Sequence, residues 1–367
     1  MYDELLFVNK EEKAKQIIGK IWGKNPLFTC VIANTETGKI KGISAAGENP
    51  DITDYTPPAD VELLELGRCK CIDGVPVTPD GIPTPAIITR ASLRLADIPF
   101  LPINAGLNVL PQIPFVDVGG TSGKDIRKRY AVKNPEKTIE KAKVLGKNLA
   151  YLCDFLVAGE SIAGGTTTAL GVLVGLGYDA FDKVSSSMPG NPHTLKKKIV
   201  EEALKKLGDN NVFNVIQEMG DPMIPVHAGL CIGAAEKVPV LMAGGTQMTA
   251  VLSVIKEIEK RVMNNLVIAT TSWIINDKTS NIIELVNEIY PVPIITTKLS
   301  FANSKYEGLR AYEKGVVREG VGAGGAAITA YIKSKARINN ENLFKEIERI
   351  YKGLLIQQRK QHYAPLK

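Results

Sequence analysis

The chain is poor in the residues from which metal and redox sites are usually built. Its three histidines, His193, His227 and His362, are far apart, so a histidine-based zinc site is not expected. Of its five scattered cysteines, Cys69 and Cys71 form a C-x-C, and no second pair completes a four-ligand zinc site. The sequence therefore predicts no metal, no cofactor, and free thiols in a reducing cytoplasm.

Targeting and membrane-spanning segments are not evident either. The N-terminus lacks the apolar core of a signal peptide. The uncharged stretch from Ser161 to Tyr178 approaches membrane-spanning length, but its four Ser or Thr residues and five glycines are typical of a buried helix with a polar start. We therefore expect a cytoplasmic protein that does not contact a membrane.

The net charge of +6 is concentrated at one end of the chain. From Lys333 onward there are nine Lys or Arg residues against three Glu, and no aromatic-rich RNA motif accompanies them. A charged surface helix is favoured over a nucleic-acid site, so no nucleic-acid partner is predicted.

Two nucleotide-binding motifs are also missing. The chain has no G-x-x-x-x-G-K-[ST] loop, and no strand is followed by G-x-G-x-x-G with an acidic residue some 20 positions on. Enzymes that use a nucleoside triphosphate or NAD are thereby disfavoured.

What the chain does have is a regular alternation of short apolar and amphipathic segments. A first strand is predicted in PLFTCVIAN (26–34), and from Pro114 onward strands are predicted in PFVDVGG, CDFLVAGES, VPVLMAGG, NNLVIATTS and PVPIITTKLS. Helices are predicted between and after the later strands, at 133–152, 165–176, 246–262, 276–289 and 306–314. This pattern predicts an α/β fold, with a largely parallel, Rossmann-like sheet flanked by helices on both faces.

The two ends of the chain form helices that have no strands to cover. The N-terminal helix follows an N-x-x-E cap made by Asn9 and Glu12, and a final helix is predicted over 340–359. We expect residues 1–22 and 337–367 to form a small helical domain beside a large α/β domain of residues 23–336.

An early region is rich in turn-forming residues. Seven prolines lie between Pro50 and Pro85, so this region is predicted to be mostly loop, with one short helix near Asp60–Leu66. Loops of this length inside a compact protein are usually functional.

Small polar residues follow four of the predicted strands, in AGESIAGGTTT, AGGTQMT, ATTSW and TTKLS. The carboxyl ends of parallel strands meet at one edge of the sheet, where glycines allow close approach and helix N–H groups favour an anion. Helix capping and packing would explain any one of these loops. Four together favour a shared site for a phosphorylated ligand.

Two carboxylates stand in glycine-rich surroundings. Glu160 lies in the first of these loops, and Glu319 lies between Arg318 and Gly320, ahead of a G-x-G-x-G-G run. A surface glutamate paired with its neighbouring arginine is the plain alternative for Glu319. The flanking glycines favour a functional role, because they let the backbone pass close to a ligand.

Four segments, taken in order, resemble motifs of the nicotinate-nucleotide–dimethylbenzimidazole phosphoribosyltransferase family of cobamide biosynthesis, in its archaeal and cyanobacterial branch. The family's G-E-M-G-I-G-N-T-T resembles GESIAGGTT at 159–167, and its G-G-F-E-I resembles GGTQM at 244–248. Its L-G-E-G-T-G-A resembles VREGVGA at 317–323, and its I-N-x-L-A…V-D-V-G resembles INAGLNVLPQIPFVDVGG. The resemblance runs from about residue 100 to residue 330.

This resemblance implies a fold, a reaction and a site. It implies a parallel α/β sheet with a small helical domain, a homodimer, and transfer of phosphoribose from nicotinate mononucleotide to a benzimidazole-type base, with inversion at the anomeric carbon. It also implies that Glu319 is the catalytic base. The substrate-binding positions that carry over are Glu160, Gly164, Gly165, Thr166, Thr167, Lys196, Gly244, Gly245, Thr246, Gly320 and Gly322. Lys197 and Lys198 are rivals of Lys196 for the family's lysine.

The implied chemistry suits a site with one base. The nicotinate ring leaves as a neutral pyridine and needs no general acid, whereas the incoming azole must lose its N–H proton. One carboxylate with a raised pKa suffices for that, and a general base typically contributes ~10²–10⁴-fold. Tyr55, Pro57 and Pro58 either line the pocket for the flat base or pack within their loop.

Three positions depart from the family motifs: Gly165 stands in place of Asn, Arg318 in place of Gly, and Gln247 in place of Glu. They keep two alternatives open: a non-catalytic homologue that binds a nucleotide or phosphate, and a transferase that acts on a different base.

Overall fold

A computed structural model describes residues 2–45, 50–74, 76–78, 81–188 and 190–362. Residues 46–49, in the predicted loop region, and 363–367, at the end of the predicted helical domain, lie outside the described residues.

The fold is built on an eight-stranded sheet with the order β1-β8-β7-β6-β5-β2-β3-β4. All neighbouring strands are parallel except β1, which pairs antiparallel with β8 at the edge. The strands are β1 Leu5–Asn9, β2 Pro26–Ala33, β3 Phe100–Gly106, β4 Val116–Asp117, β5 Phe155–Ser161, β6 Val240–Ala243, β7 Leu266–Thr270 and β8 Ile294–Thr297. The predicted α/β class and largely parallel sheet are confirmed.

Helices cover both faces of this sheet. They are α1 Glu11–Ile21, α2 Pro50–Thr53, α3 Thr56–Leu66, α4 Ala86–Leu95, α5 Pro135–Leu149, α6 Gly165–Gly175, α7 His193–Leu204, α8 Val212–Met219, α9 Met223–Ala235, α10 Gln247–Ile258, α11 Ser272–Ile275, α12 Ile282–Ile289, α13 Glu307–Arg310, α14 Ala323–Lys333 and α15 Asn340–His362. Alternate residues of β2 enter different cores. Phe28 and Ile32 belong to the core that includes buried residues of α1, α4, α14 and α15, and Val31 belongs to the core that includes buried residues of α5, α6, α9 and α10. The side-chain period of two in a strand explains why β2 is apolar along its length.

The order of the strands reverses beside β2. From β2 the chain proceeds to β3 and β4 on one side, and from β5 to β6, β7 and β8 on the other. Such a reversal opens a crevice at the carboxyl ends of the two central strands. Here Gly164 has φ +81°, and a Cβ on it would lie 2.4 Å from the Cα of Gly38, which follows β2. Glycine is therefore required where these two loops cross.

Two local predictions are wrong. Asn9 does not cap α1, because residues 5–9 form β1 and the Asn9 amide donates to the carbonyl oxygen of Val292 at 3.0 Å. The helix expected from residue 276 begins only at Ile282. Asp277 closes a turn before it by accepting hydrogen bonds from Thr279 and Ser280.

The terminal helices lie against the rest of the fold. Helix α1 contacts β1 and α14, and α15 packs on α4. The division into a small helical domain and a large α/β domain remains a prediction. Within the described ranges, no helix combines the length and the apolar character needed to cross a bilayer.

Candidate active site

A cavity of about 1160 Å³ opens at the carboxyl ends of β5 and β6, next to the reversal of strand order. One wall comes from the loops that follow these strands, from the serine loop (Ser185–Ser187), and from residues 317–321. The rest of the lining comes mainly from the proline-rich region between Ile43 and Pro85. The long early region therefore lines the cavity, and its functional role remains a prediction.

Glu319 lies in this cavity, at the start of α14. Its carboxyl group accepts hydrogen bonds from three backbone N–H groups: Thr271 at 2.9 Å, Gly320 at 3.1 Å and Gly324 at 3.3 Å. These bonds favour the ionised form, but burial outweighs them and raises the pKa of Glu319 to about 7. The Glu319 side chain is partly exposed and lines the cavity. Its carboxyl group, which titrates near neutrality, can therefore contact a bound molecule.

Glu160 is the second carboxylate of the cavity and belongs to β5. Its Oε1 accepts a hydrogen bond from Nε2 of Gln247 at 3.1 Å. Burial raises the pKa of Glu160 to about 8, and the negative charges of Glu319, Asp221 and Asp60 contribute to the shift. Near neutral pH one of the pair Glu160 and Glu319 is therefore favoured in the protonated form.

The segments that carry these two glutamates are joined by a backbone hydrogen bond and pack closely. The N–H of Val321 donates to the carbonyl oxygen of Glu160 at 2.9 Å. A Cβ on Gly322 would lie 3.0 Å from the Cα of Gly159, so the backbones pass at close range. The glycines flanking each glutamate permit this approach.

Asp60, on α3, is a third carboxylate that lines the cavity, and the sequence analysis did not identify it as a site residue. It accepts hydrogen bonds from the hydroxyl groups of Thr84 and Ser161, both at 2.7 Å. Burial raises the pKa of Asp60 to about 6. The composition of the proline-rich region indicated a functional loop, but nothing in the sequence singled out this aspartate. Tyr55 also lines the cavity, whereas Pro57 and Pro58 are buried in α3 away from it.

Eight of the twelve predicted site residues line the cavity: Glu160, Gly164, Gly165, Thr166, Gly245, Thr246, Glu319 and Gly320. The other four, Thr167, Lys196, Gly244 and Gly322, lie behind its wall. Lys196 is completely buried and its Nζ donates to the carbonyl oxygen of Ser185 at 2.5 Å. It therefore supports the serine loop from behind.

Arg318 supports the same loop. It is buried, donates to the carbonyl oxygen of Ser186 at 2.9 Å, and forms an ion pair with buried Asp277 at 3.4 Å. The pKa of Lys196 is lowered to about 7 by burial, with Asp277 opposing the shift and Arg318 adding to it. No local pattern in the sequence marks the serine loop, whose three residues all line the cavity.

No grouping of three or more His, Cys, Asp or Glu side chains suited to a metal ion occurs among the described residues. The absence of a cofactor remains a prediction.

Comparisons with known proteins agree with this architecture. Residues 102–274 match the model of a family described as phosphoribosyltransferase. The UPF0284 protein of Sulfolobus acidocaldarius is 48% identical over 343 residues, which cover 93% of this chain and 99% of that protein. The UPF0284 protein of Methanocaldococcus jannaschii is 47% identical over 339 residues, or 90% of this chain and 96% of that protein.

Two solved structures from Thermus thermophilus share the fold, each with a TM-score of 0.54 and 17% sequence identity. One is described as CobT, and the superposition covers 85% of this chain and 84% of that chain. The other is described as nicotinate-nucleotide-dimethylbenzimidazole phosphoribosyltransferase, and the superposition covers 91% of this chain and 93% of that chain. The predicted family resemblance and the fold are thereby confirmed.

Proposed function

We propose that this chain, which belongs to the UPF0284 protein family and matches a phosphoribosyltransferase family model over residues 102–274, transfers phosphoribose from nicotinate mononucleotide to a benzimidazole-type base, with release of nicotinate. One observation carries the proposal. A single cavity combines two carboxyl groups of raised pKa, Glu319 and Glu160, with the glycine-rich starts of α6 and α10.

Glu319 is the base in this proposal. Its carboxylate removes the N–H proton of the azole as the azole nitrogen bonds to C1′ of the ribose. The bond between C1′ and the pyridinium nitrogen breaks, and its electron pair returns to that nitrogen, so nicotinate leaves without needing a proton. A pKa of about 7 supports this role, because a base that titrates near the working pH combines availability with proton affinity.

We assign the phosphate to the wall formed by the starts of α6 and α10 and by the serine loop. Thr166 and Thr246 stand at the first turns of these helices, where free N–H groups and the helix dipole favour an anion. The azole would then lie toward the proline-rich wall, near Tyr55. Holding both reactants in one cavity reduces the entropic cost of their meeting.

Two further parts of the proposal concern the whole protein. We expect a homodimer, as the family resemblance implies, and a cytoplasmic location. The five cysteines, all free in the structure, are consistent with a reducing compartment.

The test incubates the protein with nicotinate mononucleotide and 5,6-dimethylbenzimidazole and follows free nicotinate and ribazole phosphate. Glu319→Gln should lower kcat by about 10²–10⁴-fold while nucleotide affinity changes little. Glu140→Gln, an exposed substitution on α5, serves as the control and should leave turnover unchanged. Tight nucleotide binding without nicotinate release would indicate a non-catalytic homologue. Turnover only with other azoles would indicate a transferase for a different base.

A further inference from the structure

Gly165 and Gln247 meet across the cavity wall. Each is the first residue of its helix, α6 and α10, and both line the cavity. A Cβ on Gly165 would lie 2.0 Å from Oε1 of Gln247 and 2.7 Å from Cγ2 of Ile162. Any side chain at position 165 would therefore displace the Gln247 amide.

The orientation of that amide is set by Glu160. Only the Nε2 end of the amide can donate a hydrogen bond, and it does so to Oε1 of Glu160 at 3.1 Å. The other end, Oε1 of Gln247, is buried with no hydrogen-bond partner among the described residues. The bond to Glu160 is therefore the hydrogen bond that the Gln247 side-chain amide makes among the described residues.

The hydrogen bond from Gln247 to Glu160 matters because most of the ionisable groups around Glu160 are negatively charged when ionised. Glu319 from the loop before α14, Asp221 from the turn before α9 and Asp60 from α3 all act on Glu160 with negative charge, and the thiol of Cys30 from β2 is coupled to it. Among the described residues, Gln247 is the side chain that donates a hydrogen bond to Glu160, and the backbone N–H of Ile162 is a further donor. Neither group adds charge.

We propose that Gly165 and Gln247 act as one unit, in which the missing side chain of Gly165 admits the Gln247 amide and this amide holds the Glu160 carboxyl group in position for the bound nucleotide. Gln247 is then a positioning residue that acts through Glu160. The inference deepens the proposed function and rests on it for the identity of the nucleotide. The coupling between Gly165, Gln247 and Glu160 is a property of the unliganded protein.

The first measurement follows the Glu160 carboxyl group directly. In protein labelled with ¹³C at the glutamate carboxyls, the signal that disappears in Glu160→Gln is that of Glu160. Gln247→Ala removes a donor to the carboxylate and should raise the pKa of Glu160 by about one unit. Gly165→Ala displaces the same amide and should raise it similarly. The double variant should raise it no further, because the two changes remove one interaction.

Gln247→Glu separates charge from packing, because Glu and Gln have nearly the same shape. A fourth carboxylate acting on Glu160, beside those of Glu319, Asp221 and Asp60, should raise its pKa by more than Gln247→Ala does. Gly353→Ala is the control, because a Cβ there meets open space on α15, and it should leave Glu160 unchanged.

The second measurement is the affinity for nicotinate mononucleotide by calorimetry. Gln247→Ala and Gly165→Ala should each weaken binding about tenfold, and the double variant no more than either alone. Additive effects on the Glu160 pKa, or a Gly165→Ala protein whose Glu160 titrates as in the wild type, would overturn the proposal. If the wild type binds no nicotinate mononucleotide, the proposed function fails, and the titration of Glu160 still decides whether the unit exists.

Discussion

Replacing Arg318 by methionine tests whether a buried ion pair holds the cavity wall. Methionine keeps much of the length of the side chain but removes its charge and its five donors. The change leaves Asp277 buried without its cationic partner and removes the bond to the carbonyl oxygen of Ser186.

The expected loss of stability follows from the surroundings of Asp277. Breaking a buried ion pair by removing one partner costs about 3–5 kcal/mol. Asp277 keeps its bonds from Thr279 and Ser280, so the lower end of this range applies. An unfolding entropy of about 2.1 cal/mol/K per residue gives roughly 0.8 kcal/mol/K for the 367 residues. A loss of about 3 kcal/mol in the free energy of unfolding therefore lowers Tm by roughly 4 °C.

Differential scanning calorimetry of the wild type and Arg318→Met measures this shift. Arg261→Met is the control, because Arg261 forms an ion pair with Glu259 but is 88% exposed, and its Tm should stay close to that of the wild type. Arg318→Lys, which keeps the charge without the planar fork, should lie between the two. If Arg318→Met melts no lower than Arg261→Met, the ion pair contributes nothing net and the reasoning is refuted.

Two predictions concern pH. Because the pKa of Glu319 is raised to about 7, kcat/KM should rise as pH increases through 7 and level off above it, and a flat profile down to pH 5 would contradict a role as base. Stability should fall as pH rises from about 5 to 7, because folding raises the pKa values of Glu319 and Glu160 from 4.5 to about 7 and 8, so the folded state keeps protons that the unfolded state has released. Lys196→Met should stabilise the protein more at pH 6 than at pH 9 in urea unfolding. The pKa of Lys196 falls from 10.5 to about 7 on folding, so the charged form that the fold disfavours is fully populated only below pH 7. An equal gain at both pH values would show that Lys196 folds without this shift.

Local patterns were enough to identify most of the central sheet. Short apolar runs predict strands β5 to β8. The loops that follow these strands were recognisable as candidate site loops, because glycine, serine and threonine are favoured where a helix begins close to the end of a strand. Glu160 and Glu319 could be named for the same reason, together with the resemblance of their motifs.

Other elements could not be read from local patterns. Helix α9 is buried on all sides, so its sequence, MIPVHAGLCIGAA, has no polar face to mark a helical period. Strand β1 exists because β8 provides an edge to pair with, and that edge is nearly 300 residues away in sequence.

The roles of individual charged residues depended most on the folded structure. The residue types and their order predicted an α/β protein, which is confirmed, and a site for a phosphorylated ligand at its strand ends, which remains a prediction. They did not distinguish Glu319, which lines the cavity, from Lys196, which is buried outside its lining, because both are charged residues close to glycine- or proline-rich turns. Burial, the direction of a side chain and the pKa that follows from them depend on contacts between distant segments, such as Asp277 with Arg318 and Gln247 with Glu160. Those contacts form only when the chain is folded, and they determine which of its charged groups can take part in chemistry.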